Sequence, residues 1–363
     1  MKRYYIDQEH RFAEMFNDET GFYVRSGIIN LNGVDTGIDP FMRNYPSLID
    51  VGIMGGCIHG KSGLCIQSGV ECYQNGLNIS KSNMSFDNFK KLIDESAGKS
   101  FQFALGGRGD ANKHEEFGKF IEYAKSKGII CNYTTSGLQL TEEEVILTKE
   151  FCGACAVSEY RSPYTRKAIQ MLVGVGMKTN IHYVLSNSSI DEAINKLEKN
   201  GFDEGINAVI FLLHKPVGLG SWENVLRPDN AKVNKFFEII DNNTLPFKVG
   251  FDSCSCSGIV NFTSKIAHES IEPCEAARHS MYIDAEMNAM PCSFCNQDSS
   301  QFVSLNTNTI KNAWGSEIFE NFRNKAKNAC TGCKMKHLCS PCPAIDGISL
   351  CERENEKIKR NEN

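Results

Sequence analysis

The 363-residue sequence has no apolar run near the roughly 20 residues that a membrane-crossing helix needs. It also has no Lys/Arg run long enough to track a phosphate backbone, which argues against nucleic acid as a principal partner. The opening stretch, Met1-Lys2-Arg3-Tyr4-Tyr5-Ile6-Asp7, turns polar before an apolar segment of signal-peptide length can develop. The expected compartment is therefore the reducing cytoplasm. Neither sign of charge dominates, with 39 Lys and Arg against 44 Asp and Glu and a net charge of -5. Repeats and low-complexity tracts are missing, and 41% hydrophobic with 23% charged residues excludes disorder as the main state.

What the sequence does have is cysteine, 16 in all. In a reducing compartment clustered cysteines serve as metal ligands or catalytic groups more often than as disulfides. They are set into a clear organisation. Short apolar runs alternate with amphipathic segments from residue 48 onward, which predicts strands alternating with helices in a parallel sheet. Strands are expected at 48–54, 101–107, 129–134, 154–158, 178–185 and 208–213, with a further helix at 231–240 and a strand at 247–251. Ser85 opens a helix, Thr141 with Glu144 forms a capping box, and Ser188 starts a helix that ends before Gly201. The fold class is thus α/β. Residues 1–47 read as an N-terminal extension with a hairpin around 18–21, 48–252 as the β/α domain, 253–351 as a cysteine-held domain and 352–363 as a charged tail.

Two constellations carry the chemistry. After the first strand, Cys57, Cys65 and Cys72 are spaced C-x7-C-x6-C within a glycine-rich loop. Three thiolates from one loop can hold three irons of a [4Fe-4S] cube and leave the fourth open. Zinc with His59 as a fourth ligand, or plain surface thiols, are the other readings of that loop. Near the C-terminus Cys330, Cys333, Cys339 and Cys342 form C-x2-C-x5-C-x2-C, with Cys351 beyond and Cys254, Cys274 and Cys292 before. Eight soft ligands suffice for two four-ligand sites, and spacing alone suits zinc as well as iron-sulfur.

Together with Gly106-Gly107-Arg108-Gly109 at the end of the second strand, these residues resemble the radical S-adenosylmethionine enzymes that carry a C-terminal SPASM domain. The resemblance implies a partial (β/α)6 TIM-like barrel followed by a small Cys-rich domain, with three [4Fe-4S] clusters and S-adenosylmethionine as cofactors. It places the amino end of the cofactor against Gly106, Gly107 and Arg108, the ribose near Ser158, and the carboxylate near Arg161, with Asn180 a further contact. It assigns Cys254, Cys274, Cys292 and Cys342 to one auxiliary cluster and Cys330, Cys333, Cys339 and Cys351 to the other. Cys256 and Cys295 lie close enough to exchange with an assigned ligand, and Cys131, Cys152 and Cys155 carry no metal role. The sequence departs from the family pattern in its longer loop and in Glu71, which replaces an aromatic before the last loop cysteine. Arg108-Gly109 stands in place of Glu-Pro, and Met287 in place of a glycine.

The resemblance further implies a 5'-deoxyadenosyl radical used on a peptide or protein, as in maturation of a ribosomally made peptide by crosslink or thioether formation. An external one-electron donor such as flavodoxin or ferredoxin would feed it, and a separate leader-binding protein is a possible partner. Side-chain oxidation of the sulfatase-maturing kind is the alternative, disfavoured because Ser293 stands where that branch has an acid. A non-catalytic zinc or iron-sulfur scaffold is the reading from a different class. Asp110, His114, His182, His214 and Lys215 are expected near strand ends, and no catalytic acid or base is assigned.

Overall fold

The computed structural model describes residues 1–267, 270–295 and 302–353, so the tail from 354 onward lies outside the described residues. Side chains of period two lay down the first sheet. β1 (Lys2–Asp7), β2 (Phe12–Asn17) and β3 (Tyr23–Arg25) pair antiparallel. The hairpin expected at 18–21 is the β2–β3 turn, and β1 adds a strand that the sequence pattern did not show. Alternate residues Phe12, Glu14 and Phe16 of β2 are buried.

Seven strands then follow in parallel and in chain order. They are β4 (Leu48–Val51), β5 (Gln102–Leu105), β6 (Ile130–Thr135), β7 (Cys152–Ser158), β8 (Thr179–Leu185), β9 (Ala208–Leu213) and β10 (Lys248–Phe251). On the far side of β4, β11 (Ser280–Ile283) joins in parallel, and β12 (Asn288–Met290) and β13 (Val303–Ser304) continue antiparallel. The cysteine-rich segment is thus hydrogen-bonded into the same ten-stranded sheet as the barrel. β4 and β5 are shorter than expected because the chain leaves the strand at Gly52 and Gly106. Gly107, at φ +91°, turns it.

Helices cover one face of the barrel sheet, and their starts follow the capping chemistry. The Ser85 hydroxyl caps Phe86–Ser96, and the Thr141/Glu144 capping box opens Glu142–Phe151. Ile190–Glu198 begins after Ser189, one residue later than expected. Under these helices lie the outward residues Ile49, Phe103, Cys131, Cys155, Val157, Ile181 and Val209, all fully buried. Cys131 and Cys155 therefore sit in the apolar layer, where a thiol behaves as a small hydrophobe.

The opposite strand face points into the barrel and is built differently. Asp50, Ala104, Asn132, Thr134, Ala154, Ala156, Ser158, Asn180, His182 and Val184 occupy it. In a closed (β/α)8 barrel these positions carry bulky branched side chains that fill the interior. Here all of them but Val184 are small or polar, and a cavity of about 770 Å³ remains. No described helix is long and apolar enough to cross a membrane.

Arg43 ties the three parts together. It is fully buried, pairs with Glu14 of β2 at 3.2 Å, donates to the Lys99 carbonyl at 2.5 Å and lies 3.6 Å from the Tyr5 ring centroid. Its own carbonyl accepts from Trp314 Nε1 at 2.8 Å. Burial pushes the Glu14 carboxyl up and the Arg43 guanidinium down, so desolvation outweighs their attraction. Removing one partner leaves the other as an uncompensated buried charge. Arg43→Met is expected to cost about 3–5 kcal/mol in denaturant unfolding, more than Arg43→Met combined with Glu14→Leu. Met287, standing where a glycine was expected, sits at φ +67° in the β11–β12 turn with its side chain 1% exposed. Left-handed backbone costs about 1–2 kcal/mol, whereas losing a buried Met side chain costs about 2–5. Met287→Gly is therefore expected to lower the unfolding midpoint despite relieving the backbone.

Candidate active site

The cavity opens at the carboxyl ends of the barrel strands, where loops rather than strand registers determine what is presented. The loop after β4 brings Cys57, Cys65 and Cys72 to its rim. Cys57 caps a one-turn helix, and its Sγ accepts from the Gly60 N–H at 3.4 Å. Cys72 Sγ accepts likewise from the Gly76 N–H at 3.4 Å. Cys65 is 7% exposed and its Sγ donates to Tyr160 Oη at 3.6 Å. The Cys65 thiol is pushed up to about 11, mainly by burial, and Cys57 and Cys72 lie within electrostatic reach of it. Free, the Cys65 thiol stays protonated; bound iron would displace its proton.

The donor set fits an iron-sulfur cube. The described cysteines form no disulfide. No three metal-ligating side chains among the described residues gather as tightly as a single ion requires. A cube puts each thiolate on a separate iron. Beside the loop, His59 is 1% exposed and lines the cavity, and its Nδ1 lacks a hydrogen-bond partner among the described residues. Its Nε2 meets Ser136 Oγ, whose backbone N–H donates to Asp110 at 3.0 Å. A bound group would satisfy the orphaned nitrogen.

Glu71, in the place of the expected aromatic, anchors the loop by other means. Its carboxylate accepts from the Ser221 N–H at 2.9 Å, from Ser221 Oγ at 3.0 Å and from Asn224 Nδ2 at 3.0 Å, with His214 Nε2 at 3.4 Å. Burial raises its pKa, but these hydrogen bonds prevail and hold it below the usual carboxylate range. The segment after β9 is thereby strapped onto the cysteine loop. Its Leu219 N–H donates to the Cys72 carbonyl at 2.9 Å, and a Cβ at Gly218 would run into the carbonyls of Cys72 and Tyr73.

Of the residues expected to bind the cofactor, Gly106, Gly107, Ser158, Arg161 and Asn180 all line the cavity. Gly107 faces Tyr282 so closely that an added Cβ would lie 2.7 Å from its hydroxyl. Arg108 is not among the lining residues. It donates to the carbonyls of Gln74 at 3.4 Å and Gly55 at 3.3 Å, bracing the cysteine loop from behind. Arg161, at φ +56°, engages Glu192, the Tyr183 hydroxyl and the Glu159 carbonyl. Asn180 Oδ1 accepts from Asn207 at 2.8 Å.

Asp110, His182, His214 and Lys215 reach the cavity as expected; His114 does not. Its Nε2 pairs with the Met84 carbonyl at 2.9 Å and its ring packs 4.5 Å from that of Phe120. Burial lowers His182 to about 4, which keeps it neutral. The sequence reading missed Asp50, Tyr282 and Phe294. Asp50 is pushed up to about 7 by burial. A lone carboxylate inside the run Leu48-Ile49-Asp50-Val51 was its visible signal. Tyr282 and Phe294 come from the C-terminal segment and carried none.

The remaining cysteines gather in two sets. Cys254 is hydrogen-bonded to Cys342, and Cys274 and Cys292 lie within electrostatic reach of Cys254. Cys339 has the same relation to Cys330, Cys333 and Cys351. Cys256 sits between the sets, near Cys254, Cys274 and Cys339, with its Sγ donating to the Glu272 carbonyl at 2.9 Å. Cys295 neighbours Cys292.

Residues 274–343 match the model of the SPASM family, an iron-sulfur cluster-binding domain. Among solved structures, SuiB of Streptococcus suis bound to its precursor peptide SuiA is similar with a TM-score of 0.69 at 11% identity, covering 97% of this chain and 98% of SuiB. The same protein bound to S-adenosylmethionine gives 0.66 at 13%, covering 86% and 78%. Native anSMEcpe with bound AdoMet gives 0.58 at 14%, covering 87% and 96%. At such identities the likeness is one of fold. No curated protein matches the sequence. The partial barrel and the C-terminal iron-sulfur domain that the resemblance implied are both borne out.

Because Glu71 links the cysteine loop to its strap, Glu71→Ala is expected to lower the iron retained after anaerobic reconstitution and to speed amide exchange in residues 72–76. Glu71→Gln, which keeps part of the hydrogen bonding, should fall between. Unchanged iron and exchange in Glu71→Ala would show that the strap holds nothing.

Proposed function

We propose that the protein is a radical S-adenosylmethionine enzyme that modifies a peptide. One observation carries this reading. A single cavity is walled on one side by the three-cysteine loop and on the other by Tyr282, Ser293 and Phe294 of the iron-sulfur domain. Cys57, Cys65 and Cys72 would hold a [4Fe-4S] cube, which with S-adenosylmethionine would supply radical hydrogen abstraction from the substrate.

The chain's own residues bind, orient and enclose. Gly106, whose Cβ position is empty to 4 Å, admits close backbone approach by the amino end of the cofactor. Ser158 and Asn180 offer polar contacts to the ribose from β7 and β8, and Arg161 at the rim is the partner for the carboxylate. Arg108 acts by bracing the cysteine loop. Cys254, Cys274, Cys292 and Cys342 hold one auxiliary cluster, and Cys330, Cys333, Cys339 and Cys351 the other.

A peptide substrate is supported by the fold shared with SuiB, which binds a precursor peptide, and crosslink or thioether formation is the reaction class. Side-chain oxidation is the second reading, since the fold is shared with anSMEcpe as well; Ser293 in place of an acid counts against it. A flavodoxin- or ferredoxin-like donor would supply electrons in the cytoplasm, and a separate protein would present any leader.

The test is anaerobic reconstitution followed by S-adenosylmethionine and dithionite. We expect about 12 irons per chain and release of 5'-deoxyadenosine, lost in the Cys57→Ala, Cys65→Ala, Cys72→Ala triple variant. About two zincs and no iron would establish the scaffold instead.

A further inference from the structure

Lys215 follows β9 and lines the cavity together with Asp252, Ser293 and Phe294, which lie within two residues of Cys254 and Cys292 along the chain. It is 4% exposed. Its Nζ donates to Asp252 Oδ2 at 2.6 Å and to the Leu213 carbonyl at 2.8 Å, and lies 4.5 Å from the Phe294 ring centroid. Asp252 lies two residues before Cys254, and the ammonium is within electrostatic reach of both Cys254 and Cys342. Asp252 is itself oriented by Ser255, whose hydroxyl donates to its Oδ1 at 2.7 Å. A buried ammonium is costly, and an ion pair with one carboxylate seldom repays both desolvation penalties. The placement makes physical sense if a further anionic group sits beside it.

Resting on the cluster reading above, we propose that Lys215 is a positioning charge that raises the reduction potential of the auxiliary cluster held by Cys254, Cys274, Cys292 and Cys342. Adding one electron makes an iron-sulfur cluster more negative, so a fixed cation at short range in a water-poor wall stabilises the reduced form more than the oxidised one. Asp252 opposes the effect in part, and the hydrogen bond from Ser255 holds that carboxylate to the ammonium. Phe294, two residues after Cys292, lays its ring over the charge. A cluster tuned in this way, against the cavity wall, is the better acceptor of an electron from that cavity.

The test is potentiometric titration of the reconstituted full chain followed by EPR, with Cys254→Ala identifying the signal that belongs to this cluster. Lys215→Met and Lys215→Gln are expected to shift that one midpoint to more negative potential and leave the other clusters unmoved, while Lys215→Arg retains the parent value. If Lys215→Met does not hold its iron, Lys215→Gln, which can still hydrogen-bond Asp252, decides. An unchanged midpoint in either neutral variant with full iron overturns the proposal. A parent protein in which Cys254→Ala removes no iron-sulfur signal overturns the cluster reading beneath it, a result separable from the first.

Discussion

The site depends on an interior left unfilled. Parallel strands buried on both faces ordinarily carry large apolar residues on each. Here the outward face does so, with Ile49, Phe103, Val157, Ile181 and Val209, while the inward face is mostly Ala, Ser, Thr, Asn, His and Asp, with Val184 and Leu212 the apolar exceptions. The outward layer alone must therefore hold the sheet. It is dense in aromatic contacts, such as Phe89 stacked on Phe120 at 4.3 Å and Phe211 edge-on to Phe236 at 4.9 Å. A core displaced to one face frees the other for ligands.

An open interior needs walls, and the chain supplies them from its two ends. The N-terminal sheet is locked to the barrel by the buried Arg43, whose carbonyl also receives Trp314 from the C-terminal segment. That segment enters the sheet through β11 beside β4, which carries Tyr282 to the turn at Gly107 and Phe294 to the ring of Tyr73 at 4.8 Å. Pairing of β11 with β4 is thus what makes one cavity out of two cysteine-bearing regions.

The long cysteine loop shows how a missing feature is replaced. Without the aromatic, the loop is fastened by a carboxylate through hydrogen bonds to a strap from β9 and a contact with the His214 ring, with Arg108 bracing from beneath. Hydrogen bonds to a charged acceptor are roughly twice as strong as those between neutral groups, and they are directional. The same strap begins at His214 and Lys215, so it reaches from the loop cysteines to the wall of the C-terminal set.

Local pattern alone determined a good deal. Period-two and helical spacing placed the seven barrel strands and several of the helices between them, though not Pro163–Gly174, because those signals live within a few residues of each other. The capping chemistry at Ser85 and Thr141, and the two families of cysteines, were legible for the same reason. The β1 strand escaped because its burial, like its pairing, comes from β2 and not from its own alternation. Only tertiary structure decided what crosses between elements. It turned Arg108 away from the cavity and His114 into the Phe120 layer, and brought Asp50, Tyr282 and Phe294 to one wall. Those outcomes depend on contacts between residues distant along the chain, such as Glu71 with Ser221, 150 positions apart, and Gly107 with Tyr282. Spacing along the chain carries no record of them.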